Sequence, residues 1–230
     1  MKIYLTLLFL LITISLSAQS KDSYHVINLL GATIYSEPKF EAQIVGRIDL
    51  GKIVRFEKVL DEKSKKQISP ELEVEGNWIE IMLDFNYGYI FSSDLTTKPT
   101  ELIIEYNDLQ TVNIFGKELE KKEYTEQTVI DGESYPMEKI ITAYEFALIN
   151  ETFFDGCHDT EYLLEDFSLS EAYHQLINLH SRKNNNRIEF PAVICREGNV
   201  WSFSDLDAIQ ELQLHDLGNG KFKITLYSCT

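Results

Sequence analysis

The chain has 230 residues, 44% of them hydrophobic, with 37 acidic against 21 basic side chains and a formal net charge of −16. That size supports two modest domains, each with a core of its own. The acidic field repels phosphate backbones and anionic lipid, which excludes nucleic acid and the membrane surface as partners; its simplest use is solubility, and a cationic partner stays open.

Residues 1–18 open with Met1-Lys2, run apolar from 3 to 14, and end in the small residues Ser15, Ser17 and Ala18. This is the anatomy of a signal peptide cleaved after Ala18, because the polar residues that follow leave the run short of a membrane span. The expected product is exported, periplasmic or secreted, with no membrane insertion after cleavage. Export matters for Cys157, Cys195 and Cys229, since an oxidising compartment bridges free thiols. Three pairings are possible, and one cysteine is left over, expected as a buried thiol.

From residue 24 to 96, short β-like runs at 24–30, 33–35, 44–48, 53–59, 78–83 and 87–91 alternate with turn signals such as Gly31, Ser36-Glu37-Pro38, Gly51 and Gly76-Asn77. Spacing of this kind predicts a small all-β unit, and closure into a barrel hides strand edges. Residues 61–75 are heavily charged and are expected as an insertion. The polar stretch 97–100, with Pro99, is expected as a linker.

The pattern Ile34-Tyr35, Glu37-Pro38, Ile44-Val45-Gly46, Gly51, Asn77-Trp78 with Ile81, and Gly88-Tyr89-Ile90 with Leu95 resembles the bacterial SH3-like domain family over residues 24–96. Tyr35 stands where that pattern has Arg, and Glu37 where it has Gly. The resemblance implies a small β-barrel that binds an extended ligand, such as a cell-wall peptide or a protein segment. Tyr35, Glu37, Trp78, Tyr87 and Tyr89 are the candidate ligand-binding residues. Aromatic side chains give large contact area at small entropic cost, although Trp78 and Phe91 are also natural core fillers.

Residues 101–230 carry 24 acidic and 10 basic side chains and are expected as an acidic α+β domain, with one helix on an antiparallel sheet. Strands are expected at 102–104 and 111–115, and a solvated connection at 118–126. Residues 137–154 fit both a helical and a strand period, and their β-branched residues favour strand. Ser168 and Glu171 have capping-box spacing, followed by an apolar stripe of Leu169, Ala172, Tyr173, Leu176 and Ile177. The helix is expected to stop at Asn184-Asn185-Asn186. Strands follow at 188–195, 200–203, 209–217 and 221–228. Around Gly218-Asn219-Gly220, a three-residue loop sets Leu214 against Ile224 and Leu212 against Leu226.

No catalytic motif, cofactor signature or metal-ligand spacing is present. Asp155, Asp159, Glu161, Glu165 and Asp166 crowd twelve residues, but the spacing is not that of a calcium loop, and a solvated acidic turn is expected. The functional expectation is an exported, non-enzymatic binding protein. Two alternatives are an acidic inhibitor of a basic exported protein and a thiol-dependent enzyme using Cys157 beside His158.

Overall fold

The computed structural model describes residues 23–83, 86–104, 108–130, 133–185, 187–204 and 209–229. The expected leader and Asn186 lie outside the described residues. The fold is mainly β, with one α-helix among the described residues, and no helix there is long and apolar enough to cross a membrane.

In the first half, β1 (Tyr24–Val26) lies antiparallel between β4 (Ile53–Val54) and β8 (Leu95–Thr96). A second sheet has the order β3 (Ile44–Ile48), β2 (Ala32–Tyr35), β7 (Asn86–Phe91), β6 (Leu72–Leu83), β5 (Lys58–Ser69). It is open: β3 and β5 end it, and no closed barrel forms among the described residues. Ile34, Ile79, Ile81 and Ile90 from this sheet pack on Val26, Val54 and Leu95. Gly88 fits because a Cβ there would stand 2.6 Å from Ile34 Cγ2 and 2.7 Å from Leu83 Cδ1.

The charged run 61–75 is not a loose insertion but most of a long β5–β6 hairpin. Lys63 pairs diagonally with Glu75 at 2.5 Å and Lys65 with Glu73 at 2.7 Å, while Leu72 and Val74 alternate inward. Cross-strand charge pairs compensate for the poor strand preference of Lys and Glu.

In the second half, β9 (Glu101–Ile104) and β10 (Gln110–Asn113) form a separate hairpin. The strands β11 (Glu118–Ile130), β12 (Glu133–Tyr144), β13 (Ala147–Phe154) and β14 (Cys157–Glu165) then run as an antiparallel meander. The supposed connection at 118–126 is therefore strand, paired along its length with β12. The helix α1 (Leu169–His180) and a small hairpin of β15 (Arg182–Asn184) and β16 (Arg187–Glu189) come next. Then β17 (Val193–Glu197), β18 (Val200–Phe203), β19 (Ile209–Gly218) and β20 (Lys221–Cys229) complete an eight-stranded sheet of order β11-β12-β13-β14-β20-β19-β18-β17.

Leu214 faces Ile224 and Leu212 faces Leu226, the expected register, but the turn itself is the two-residue Asn219-Gly220. Both of its residues have positive φ, and a bulge between Asp216 and Gly218 takes up the extra residue. Core burial of Leu212, Leu214 and Ile224 sets the register, and the backbone deforms to meet it.

Cys157 and Cys229 face each other across β14 and β20 and are bridged. Cys195 is free and exposed on β17, not buried, because its strand ends the sheet.

The capping box is present: Ser168 Oγ accepts from the Glu171 amide, and Glu171 Oε2 accepts from the Ser168 amide at 2.8 Å. The helix ends at Ser181, and Asn184 and Asn185 belong to the β15–β16 hairpin, where Arg182 Nε donates to Glu189 at 2.6 Å. Eight of the twelve helical residues are buried, so the helix is enclosed rather than laid on one sheet. Ala172, Leu176 and Ile177 share a core with Leu212 and Ile224 on one side and Ile27, Leu29 and Val112 on the other. Its buried amides satisfy backbone: Asn178 donates to the Ile27 carbonyl at 2.8 Å and accepts from the Val112 amide at 3.0 Å, and Gln175 accepts from the Ile114 amide at 3.0 Å. In the expected linker Lys98 is buried, as is Thr96 just before it. Thr96 donates to Glu171 at 2.5 Å, and the Lys98 ammonium donates to the Asp166 carbonyl and lies 4.8 Å from the Phe167 ring centroid.

His180, buried at the last turn with no hydrogen-bond partner for Nε2, has its pKa lowered by burial from the ordinary 6.5 to about 4. The unfolded chain therefore binds more protons between those values, so this contribution is complete above pH 6.5 and is lost as pH falls toward 4. His180→Phe is expected to remove about 3 kcal/mol of that pH dependence. Urea unfolding at pH 7 and pH 4.5 tests this, and an unchanged difference between the two pH values rejects it.

Candidate functional site

Alternation along β7 sends Ile90 inward and Tyr87, Tyr89 and Phe91 to the opposite face. Register then adds their neighbours: Met82 opposite Tyr87, Glu80 opposite Tyr89, Trp78 opposite Phe91, and Tyr35 of β2 opposite Tyr89. Four of the five candidate residues, Tyr35, Trp78, Tyr87 and Tyr89, thus share one face of the five-stranded sheet. Glu37 sits instead on the loop between β2 and β3, exposed and paired with Lys39 at 2.7 Å.

This face grades from a dry end to a wet one. At the dry end Trp78, 3% exposed, packs against Phe40, Phe91 and Tyr35 with ring centroids 4.9, 5.3 and 5.4 Å away. Its indole N–H donates to Ser64 Oγ at 3.1 Å, so Trp78 is the floor of the row and not its contact surface. At the wet end Tyr87 is 53% and Met82 57% exposed. Tyr89 lies between, its hydroxyl donating to Glu80 Oε2 at 3.1 Å; burial and Glu80 both push the phenol pKa up, which keeps it a donor. Tyr35 meets Trp78 and Phe40 edge-on. The chemistry offered is an apolar, π-rich strip with phenol hydroxyls and one carboxylate, suited to an extended chain lying across the strands.

Phe40 and Met82 were not among the expected residues. Met82 was recoverable from alternation with Trp78 and Glu80; Phe40 lies in a loop, and nothing local marks it as a partner of Trp78.

The remaining candidates disperse. Cys157 is held in its bridge and has no thiolate to offer. His158 stacks on Phe153 at 4.2 Å and approaches Thr160 Oγ1 at 3.0 Å. The acidic run 155–166 is spread along β14 and its ends, where Glu161 and Glu165 meet Lys223 and Lys221 of β20 at 3.2 and 2.7 Å. Among the described residues no group of three or more His, Cys, Asp or Glu side chains is placed to hold a metal ion.

Comparison with protein-family models, with curated proteins and with solved structures gives no match.

Proposed function

We propose that this is an exported, non-enzymatic binding protein whose first half is an SH3-like unit. Its aromatic sheet face takes an extended ligand, a cell-wall peptide or a protein segment. One observation carries the reading: the register that brings Tyr35, Tyr89, Tyr87 and Met82 into a continuous strip, exposed at one end and anchored on buried Trp78 at the other. A strip needed only for stability has no use for a half-exposed Tyr87 beside an exposed Met82. Contact surfaces are enriched in Tyr and Met for their area and adaptability.

The test is co-sedimentation of the full chain with purified peptidoglycan. Tyr87→Ser combined with Met82→Ser is expected to weaken retention about tenfold, the loss of one good aromatic contact. Stability is expected to stay within about 0.5 kcal/mol, because both side chains are exposed. Absence of retention in the parent protein removes the cell-wall ligand, and equal retention of parent and variant removes the sheet face as the site.

A further inference from the structure

A groove of about 470 Å³ opens between β5, the loop after β1, the helix and the segment entering β17. Such a volume suits a small ligand or a short chain end. Its walls include Leu29, Ile68, Ile177, Phe190 and Val193. The titratable side chains lining it are Lys66, Tyr173 and His174, and no carboxylate is among its lining residues, in a chain with 37 acidic side chains.

The polar end of this groove is built from beneath. Asp94, its side chain 4% exposed, accepts from Asn28 Nδ2 and Lys66 Nζ at 3.0 Å each and lies 3.6 Å from His174 Nε2. Asp94 thereby fixes an ammonium and an imidazole that line the groove. The Lys66 ammonium has three donors, of which Asp94 takes one, and its side chain remains about a quarter exposed. Burial pushes the Tyr173 phenol up to about 12, so its hydroxyl also stays a donor. Hydrogen-bond donors at one end and hydrocarbon along the walls call for a ligand with acceptors at its tip and an apolar body.

We infer that this groove binds a carboxylate carried on an apolar body. The carboxylate meets the Lys66 ammonium and the Tyr173 hydroxyl, and the body lies on Leu29, Ile177 and Val193. Asp94 balances the Lys66 charge, so the carboxylate is held by directed hydrogen bonds more than by bare charge. Such a ligand is either a fatty acid or the carboxyl end of a peptide. None of its lining residues belongs to the aromatic strip, and the site stands without it.

Calorimetric titration of the full chain with decanoate and with an acetylated pentapeptide ending in Val-Leu, each beside its amide, tests the inference. At least one acid is expected to bind, and its amide to bind about tenfold more weakly, the loss of a charge-assisted hydrogen bond. Which acid binds identifies the source. Lys66→Met is expected to weaken the acid about as much as amidation does. Because that change also strips Asp94 of a partner, Val193→Trp, which fills the groove from its rim, carries the test should the first variant fail to fold. Tyr87→Ser is expected to leave this affinity unchanged. Failure of both acids to bind, equal affinity for acid and amide, or full affinity in Val193→Trp overturns the site.

Discussion

Asp94→Ala is expected to destabilise the fold by about 3 kcal/mol, the lower part of the range for breaking a buried ion pair, because Lys66 keeps some access to water. The Asp94 carboxylate is enclosed yet charged. Burial pushes its pKa up, but His174 and Lys66 outweigh burial and hold it at about 2, below the ordinary 3.8. The folded state therefore binds fewer protons in that interval, and the contribution, about 2 kcal/mol, is complete above pH 5 and lost as pH falls from about 4 toward 2. Removing the side chain leaves the Lys66 ammonium and the Asn28 amide without their acceptor. Asp94→Ala combined with Lys66→Met should be less damaging than the sum of the single changes, because no Lys66 ammonium is then left without its acceptor. Urea unfolding of the four proteins in the cycle measures this. A loss below about 1 kcal/mol, or strict additivity, would show that the pair is not coupled.

Replacing Cys157 and Cys229 together by Ser is expected to cost about 4 kcal/mol, from the freedom regained by an unfolded chain no longer closed across 72 residues. The bridge joins β14 to β20, neighbours in space that the helix and the five strands β15 to β19 separate in sequence. It ties the meander of β11 to β14 to the strands that close on the helix. Cys195→Ser, at an exposed position outside the bridge, should change stability by less than about 0.5 kcal/mol. Thermal melts with and without reductant separate the two. A reductant-insensitive midpoint in the parent protein would mean that the bridge does not constrain the unfolded chain.

Much of the local structure was legible in the residues. Ser168 and Glu171 mark the start of the helix because the signal lies within four residues, where side chain and backbone must satisfy each other. The strands around Trp78 and Tyr89 were legible from alternation and from Gly88, whose place the side chains of Ile34 and Leu83 leave no room to widen. The pairing of Leu214 with Ile224 followed from hydrophobic matching, even though the bulge that achieves it could not be read. Misjudgements fell where charge masked strand. In β5, β6 and β11, Lys and Glu alternate or cluster, and local composition cannot show that a partner strand supplies the opposite charge.

What the sequence determined by itself is therefore the near-neighbour geometry: strand and turn punctuation, the capped helix, and a set of aromatics spaced to share one sheet face. Tertiary structure alone decided which cysteines join, that the helix is enclosed on both sides, that Asn178 reaches the carbonyl of Ile27 across 151 residues, and that Lys66 and His174 gather on the buried Asp94 carboxylate. The division has a physical cause. Periodicity records which side of an element avoids water, and that is a property of consecutive residues. Which buried polar groups meet depends on how whole elements dock, and no stretch of chain carries that information on its own.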